Sequence, residues 1–159
     1  MSGNRDITMT VNGETVRRTV PVRMNLVDFL RCELGLTGSH VGCEHGVCGA
    51  CTLEVAGVPV RGCLMLAVQA DGETVTTIEG YADSGRAAKL QAAFHARNAL
   101  QCGFCTPGMI ASAVDYVERG GSADREKIRE HMSGNYCRCT GYQAIVDAIA
   151  DVIGGRGAE

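Results

Sequence analysis

The chain has no tryptophan and few aromatic side chains of any kind. Phenylalanine occurs 3 times, and Phe, Trp and Tyr together make up 4% of the 159 residues. Proteins that bind single-stranded nucleic acid stack the bases on aromatic side chains and hold the phosphates with stripes of Lys and Arg. The formal net charge here is −3, and no basic stripe runs along the sequence. The composition therefore argues against nucleic acid as a partner.

Long apolar runs are also missing. No stretch approaches the roughly 18 apolar residues that a membrane span needs. The first ten residues, MSGNRDITMT, contain no apolar core of a signal peptide. Arg17-Arg18 precedes a polar, strand-like segment, which is unlike a twin-arginine signal. We therefore expect a cytoplasmic protein without a membrane span.

Cysteine, in contrast, is abundant and ordered, because eight of the nine cysteines form two groups of four. The first quartet has the spacing C-x4-C-x2-C-x11-C and consists of Cys43, Cys48, Cys51 and Cys63. The second quartet has the spacing C-x2-C-x31-C-x-C and consists of Cys102, Cys105, Cys137 and Cys139. An odd total in a chain expected in the cytoplasm argues against disulfides and for reduced thiols that hold metal.

The spacing of the first quartet is the plant-type [2Fe–2S] ferredoxin pattern. Glycines at 42, 46 and 49 allow the loop to curl around a cluster and aim backbone N–H groups at its sulfurs. Structural zinc is a weaker alternative, since zinc sites usually pair two short C-x2-C elements and only one is present in this quartet. A Rieske site would need a second C-x2-H segment beside Cys43 and His45, and none follows.

The second quartet is less specific by spacing alone, because C-x2-C with a distant C-x-C suits structural zinc almost as well as iron and sulfur. Thr106 is a suitable N-cap, with Pro107 at the first helical position. We therefore expect the N–H groups of residues 106–109 to face the metal group at a helix N-terminus. The neighbouring first quartet favours iron and sulfur in the second.

The hydrophobic pattern divides the chain into two parts. Strands are predicted at residues 7–11, 15–22, 52–55, 58–61 and 74–78, with a helix at 25–33. A polar, glycine-containing break follows near residues 79–85. Helices are then predicted at residues 87–99, from 106 to the glycines at 120 and 121, at 122–131 capped by Ser122, and at 142–152. We expect an α+β fold with one domain at 1–80 and a four-helix bundle domain at 81–159.

Three strings in the sequence resemble the iron–sulfur segments of the molybdenum hydroxylases. They are GCEHGVCGACT at 42–52, QCGFCTPG at 101–108 and GNYCRCTGY at 134–142. The chain is similar to the separate small subunit of bacterial members, which include the xanthine oxidase and aerobic carbon monoxide dehydrogenase types. The resemblance extends from about residue 7 to residue 152.

The resemblance implies a plant-ferredoxin-like β-grasp domain followed by a four-helix domain, each holding one [2Fe–2S] cluster. It implies a large partner subunit with a molybdenum–pterin cofactor, a medium partner subunit with FAD, and a dimer of heterotrimers. It also implies that Gln101 and Cys139 contact the pterin. No substrate chemistry, and hence no catalytic residue, is expected on this chain itself.

These expectations describe an electron-transfer subunit of an oxidoreductase that hydroxylates a small substrate such as CO, an aldehyde or an N-heterocycle. A free, diffusible two-cluster ferredoxin is the alternative, and a zinc-stapled interaction module is a third. The ninth thiol, Cys32, lies beside Phe29 and Leu30, so we expect it to be a packed small side chain. The remaining histidines lie in no ligand spacing.

Overall fold

The structure, a computed structural model, describes residues 3–155. A five-stranded mixed sheet fills the first half of the chain, and helices fill the second half. This confirms the predicted α+β class. Residues 1–2 and 156–159, which form the outer ends of the two predicted domains, lie outside the described residues.

The sheet has the strand order β2-β1-β5-β3-β4. Only the β1–β5 pair is parallel, and the other neighbours are antiparallel. The strands are β1 (Asn4–Val11), β2 (Glu14–Pro21), β3 (Thr52–Val55), β4 (Val58–Arg61) and β5 (Thr74–Thr76). β5 is the middle strand of the sheet and the last one in the sequence, so the helical half begins directly after the centre of the sheet.

Both predicted hairpins are present, and each turns on a pair of residues with positive φ. Asn12 and Gly13 have φ of 51° and 87°, while Ala56 and Gly57 have φ of 50° and 77°. Two consecutive positive values are typical of a type I′ turn, whose twist matches that of the flanking strands. The second hairpin returns the chain as β4, so that Cys63 follows shortly after it.

The predicted first helix begins where expected, because the Asn25 side chain accepts a hydrogen bond from the Asp28 N–H at 2.8 Å. An α-helical turn, α1 (Leu26–Asp28), continues as a π-helix, Phe29–Glu33. Phe29 is fully buried against the sheet. Cys32 is exposed, so the expectation that it packs in the core is wrong, since the wider π-turn rotates it outwards.

The predicted strand at 74–78 ends early, because β5 stops at Thr76 and helix α2 (Ile78–Asp83) follows. The Asn12 side chain accepts from the Thr77 N–H and donates to the Thr77 hydroxyl, both at 2.9 Å. This contact ends the strand and turns the chain into α2. The predicted polar break at 79–85 is therefore largely helical, and Tyr81 within it is buried.

The four helices predicted after residue 86 are all present: α3 (Ala88–Ala96), α4 (Thr106–Glu118), α5 (Arg125–Met132) and α6 (Gln143–Ile153). Two of their caps differ from prediction. Cys105, not Thr106, is the N-cap of α4. Asp124, not Ser122, caps α5 by accepting from the Glu126 N–H at 2.8 Å, since a carboxylate also suits the positive end of a helix.

Each half has its own hydrophobic core, as two packed domains require. The N-terminal core includes Ile7, Met9, Val11, Val20, Leu26, Phe29, Leu30, Leu53 and Val75. The C-terminal core includes Tyr81, Leu90, Phe94, Met109, Ile110, Val114, Ile128, Ile145 and Ile149. None of the helices in residues 3–155 has the length and apolar character needed to cross a membrane.

Arg86 joins the two halves on the side of β3 and α4. Its guanidinium donates to Glu54 on β3 at 2.9 and 3.1 Å and to Glu118 on α4 at 2.6 and 2.8 Å. It also lies 4.8 Å from the centre of the Tyr81 ring. Arg86 holds the pKa of the Glu54 carboxyl below its usual range, because it donates hydrogen bonds to the charged form.

Replacing Arg86 by methionine is expected to lower the free energy of unfolding by about 2 kcal/mol, because half-buried Glu54 loses its charged donor. Arg129→Met is the matched control. Arg129 pairs with Glu126 on its own helix, and the Glu126 side chain is 83% exposed, so the expected loss is about 0.5 kcal/mol or less. Denaturant titration of the two variants measures the difference, and equal losses would contradict a linking role for Arg86.

Candidate metal centres and the contact between them

The first three cysteines of the first quartet lie in an irregular loop between the π-helix and β3, and Cys63 follows β4. Their thiols are paired. The Cys43 thiol lies beside Cys48, and the Cys51 thiol lies beside Cys63. The loop and the segment after β4 thus bring the four thiols together.

The two pairs have different surroundings. The Cys48 N–H donates to the Cys43 Sγ at 3.4 Å. Together with the His45 N–H it lowers the pKa of the Cys43 thiol to about 6. Cys51 is buried, and burial raises the pKa of its thiol to about 11. The loop therefore already favours a thiolate at Cys43, while Cys51 needs a bound cation to become one.

The second quartet is paired in the same way. The Cys139 thiol donates to the Cys102 Sγ at 3.6 Å, and the Cys105 thiol lies beside Cys137. Cys102 and Cys139 are exposed, while Cys105 and Cys137 are half-buried. Burial and the neighbouring Cys137 raise the pKa of the Cys105 thiol to about 12. One pair therefore faces solvent and the other faces the helices.

The donor set at each site consists of four thiols. A [2Fe–2S] cluster would be held by four thiolates and would supply one-electron transfer. Structural zinc also takes four thiolates, so the thiols fit a [2Fe–2S] cluster without excluding zinc.

The expected row of N–H donors at the start of α4 is wrong for three of its four residues. The Thr106 N–H donates to the Gly103 carbonyl at 3.2 Å, and the Met109 N–H donates to the Cys105 carbonyl at 3.0 Å. Pro107 has no N–H. In the second site, the Cys137 sulfur accepts hydrogen bonds from residues 139 and 140 instead.

A backbone hydrogen bond connects the two quartets. The Tyr136 N–H donates to the Cys48 carbonyl at 2.8 Å. Tyr136 directly precedes Cys137, so the bond joins a cysteine of the first quartet to the neighbour of a cysteine of the second. From the Cys48 sulfur to the Cys137 sulfur, every other link in the chain of atoms is covalent.

Buried polar contacts fix this connection. Asn135 is 2% exposed, and its side-chain amide donates to the Gly49 carbonyl at 3.1 Å while its oxygen accepts from the Ser112 hydroxyl at 2.8 Å. Arg61 donates to the Gly134 carbonyl at 2.6 Å and to the Thr52 hydroxyl. Residues 134–136 are therefore held against the first cysteine loop on both sides.

The backbones of the two halves also meet closely. A Cβ added to Gly108 in α4 would overlap the Gly49 carbonyl oxygen and lie 3.1 Å from the Ala50 carbonyl oxygen. A Cβ added to Gly49, whose φ is +73°, would lie 2.5 Å from the Gly134 carbonyl oxygen. Only glycine allows this approach of helix, loop and turn. The sequence predicted that Gly49 lets the loop curl around a cluster. The structure shows that Gly49 is also needed for the close contact between the two halves.

The two residues predicted to contact a pterin lie together on the surface. Gln101 donates through its side-chain amide to the Cys139 carbonyl at 3.0 Å, and both residues are exposed. The bond orients the Gln101 amide beside the Cys139 thiol. A hydrogen-bond acceptor and a sulfur on one surface suit a partner rich in N–H groups.

Sequence reasoning missed several residues near the second quartet. The His40 ring stacks on Phe104 with centroids 4.7 Å apart, and its Nδ1 lies 2.7 Å from the Phe104 carbonyl oxygen. Thr140 and Tyr142 surround Cys137 with hydrogen bonds. Phe104 lies in the string CGFC, and Thr140 and Tyr142 lie in the string CRCTGY. Cysteine spacing predicts the metal ligands, but it does not predict which side chains orient those ligands.

Comparisons with known families divide the chain in the same way as its two cores. Residues 9–82 match the family described as "2Fe-2S iron-sulfur cluster binding domain". Residues 77–150 match the family described as "[2Fe-2S] binding domain". The chain therefore carries two [2Fe–2S] domains, and the zinc alternative is set aside for both.

Relatives match the chain over nearly its whole length. Caffeine dehydrogenase subunit gamma of Pseudomonas sp. strain CBB1 is 55% identical over 151 residues, which are 92% of this chain and 89% of that one. Nicotine 6-hydroxylase small subunit of Paenarthrobacter nicotinovorans is 50% identical, over 94% of this chain and 90% of that one. In the crystal structure of quinoline 2-oxidoreductase from Pseudomonas putida 86, one chain is 44% identical and superposes with a TM-score of 0.88 over 98% of this chain and 97% of that one.

Proposed function

The chain belongs to the small iron–sulfur subunits of the xanthine oxidase family of molybdenum hydroxylases, and we propose that it carries electrons from a molybdenum–pterin cofactor to FAD. The molybdenum–pterin cofactor belongs to a large partner subunit and FAD to a medium one. When bound, [2Fe–2S] clusters accept and release one electron at a time. The chain's own residues hold the two clusters in series and orient them.

The observation that carries this proposal is the hydrogen bond from the Tyr136 N–H to the Cys48 carbonyl, at 2.8 Å. It gives electrons a route of covalent bonds with one hydrogen bond between the two sites. The exposed pair, Cys102 and Cys139, marks the end that meets the large subunit, and the first quartet marks the other end. The order proposed is therefore pterin, second cluster, first cluster, FAD.

We assign the thiolate ligands from the two quartets. The first cluster is held by Cys43, Cys48, Cys51 and Cys63. The second cluster is held by Cys102, Cys105, Cys137 and Cys139. The two-by-two pairing of the thiols supports this assignment, as does the location of one quartet in each matched domain. We place the domain division at residues 80 and 81, within the overlap of the two matches.

The substrate belongs to the large subunit, but relatives indicate its class. Those relatives are named for caffeine, nicotine and quinoline, all N-heteroaromatic compounds. We propose that the complex containing this chain hydroxylates an N-heteroaromatic substrate in preference to CO or an aldehyde. A dimer of heterotrimers in the cytoplasm remains the assembly that we expect.

Purification of the tagged chain from its source cells tests the proposal. Two larger subunits, molybdenum and FAD should co-elute with it in equal amounts per chain. Caffeine, nicotine, nicotinate or quinoline added without oxygen should bleach the visible absorption of the clusters. A stable monomer that carries iron but elutes without molybdenum and FAD would favour the free ferredoxin instead.

Gln101→Ala is expected to slow reduction of the clusters by substrate about tenfold to a hundredfold, the usual cost of removing a supporting contact at a metal site. Iron content should not change, because Gln101 lies outside both quartets. Stopped-flow absorption with the active compound of the panel measures the rate, and dithionite reduction is the control, since it bypasses the pterin. Loss of iron in this variant would mean that Gln101 has a structural role.

A further inference from the structure

The Cys137 sulfur accepts hydrogen bonds from its own loop. The N–H groups of Cys139 and Thr140 donate to it at 3.4 Å each, and the Thr140 hydroxyl donates at 3.2 Å. Backbone donors of this kind also surround Cys43 in the first quartet. The Thr140 hydroxyl differs because it is a side chain, so substitution can add or remove this donor without moving the backbone.

The direction of the Thr140 hydroxyl bond is fixed by Tyr142. The Tyr142 N–H donates to the Thr140 Oγ1 at 3.2 Å, so that oxygen acts as an acceptor on this side and turns its own proton towards the Cys137 sulfur. The Tyr142 phenol oxygen in turn accepts from the Cys137 N–H at 3.0 Å. Cys137, Thr140 and Tyr142 thus form a closed ring of hydrogen bonds.

Tyr142 adopts a conformation that disfavours any side chain. Its φ is +69° and its ψ is −24°, in the left-handed region, directly before helix α6. A non-glycine residue there is strained and persists only where its surroundings hold it. The left-handed turn at Gly141 and Tyr142 brings both the N–H and the phenol of Tyr142 back to the Cys137 loop.

We propose that the Thr140 hydroxyl raises the reduction potential of the second cluster, with Tyr142 as the residue that positions it. The inference rests on the assignment of Cys137 as a ligand in the proposed function. An added electron increases the negative charge on the cluster sulfurs, so a donor at sulfur stabilises the reduced form more than the oxidised form. A higher potential at the second cluster favours electron uptake from the pterin.

Thr140→Val tests the proposal, because valine has nearly the shape of threonine without the hydroxyl. Redox titration of the intact complex, followed by the paramagnetic signals of the two clusters, measures both potentials in one sample. In T140V the ratio of reduced to oxidised second cluster at a fixed potential should fall about threefold to tenfold, where tenfold is 59 mV for one electron. The first cluster is the internal reference and should not shift.

Two matched variants separate the hydroxyl from the shape of the side chain. Thr140→Ser keeps the donor and should retain a potential close to that of the unchanged protein. Tyr142→Phe removes the acceptor of the Cys137 N–H and loosens the ring, so its second-cluster potential should fall between those of T140S and T140V. The same order should appear whether or not the complex turns over substrate.

Three results would overturn the inference. The first is a T140V complex with both clusters and an unchanged second-cluster potential. The second is an equal shift in T140S and T140V. The third is loss of the second cluster in both T140V and Thr140→Ala, which would make Thr140 a structural residue. Failure of the proposed function is distinguishable, because the unchanged protein would then elute without molybdenum and FAD, or lack the second paramagnetic signal, before any variant is compared.

Discussion

Replacing Cys102 by serine is expected to remove the second cluster, leave the first intact and stop the flow of electrons from substrate. Iron should fall from about four to about two atoms per chain, because each [2Fe–2S] cluster holds two irons. Cys102 is exposed, so the change leaves no cavity and the fold should remain. Only one paramagnetic signal should survive in the reduced complex, and substrate should no longer bleach the visible absorption.

Cys32→Ser is the matched control, because Cys32 is also an exposed cysteine but belongs to neither quartet. It should keep four irons and full substrate reduction. Dithionite should still reduce the remaining cluster of C102S. Substrate-driven reduction of the first cluster in C102S at the unchanged rate would contradict the proposed order of electron transfer.

Gly108→Ala is expected to lower the free energy of unfolding by about 2–3 kcal/mol, although alanine is the better helix former. The added methyl group would overlap the Gly49 carbonyl oxygen. The methyl carbon is fixed by the backbone of α4 and the oxygen belongs to the backbone of the first cysteine loop, so neither can turn aside as a flexible side chain could. The overlap would push α4 away from the first cysteine loop and lengthen the hydrogen bond between Tyr136 and Cys48.

Loss of visible absorption during a thermal ramp measures the stability effect, and the magnetic interaction between the reduced clusters measures their separation. Gly3→Ala is the control, because its added Cβ has no atom within 4 Å. G108A should lose its absorption at lower temperature than G3A and show a weaker interaction between the clusters. If G108A and G3A lose their absorption at the same temperature and show the same interaction between the clusters, the close contact between α4 and the first cysteine loop does not stabilise the protein.

The cysteine quartets were predictable because metal chemistry restricts residue type and spacing together. The hairpin at residues 12–13 was predictable for a similar reason, since few dipeptides besides Asn-Gly accept two positive φ values. The hairpin at residues 56–57 was predictable from the two short strand patterns on either side of it. These signals are local, and they are independent of how the rest of the chain packs. Together with the apolar periodicity of the later helices they gave the α+β class and both cluster-binding domains.

Other features depend on contacts between distant residues, so local signals misplaced them. Residues 78–83 are helical because Asn12 binds Thr77 across 65 positions of sequence. Cys32 is exposed because it lies in a π-helix, whose wider turn places it on another side than an α-helix would. The hydrogen bond between Tyr136 and Cys48 is made by backbone groups, which nearly every residue has. It therefore cannot be predicted from residue type. The geometry that joins the two sites therefore had to come from the structure.

The most direct measurement is the content of iron and acid-labile sulfide in the purified complex. We expect four atoms of each for every copy of this chain, together with two distinct paramagnetic signals after reduction. Zinc in place of iron, or iron sufficient for only one cluster in protein handled without oxygen, would contradict this expectation.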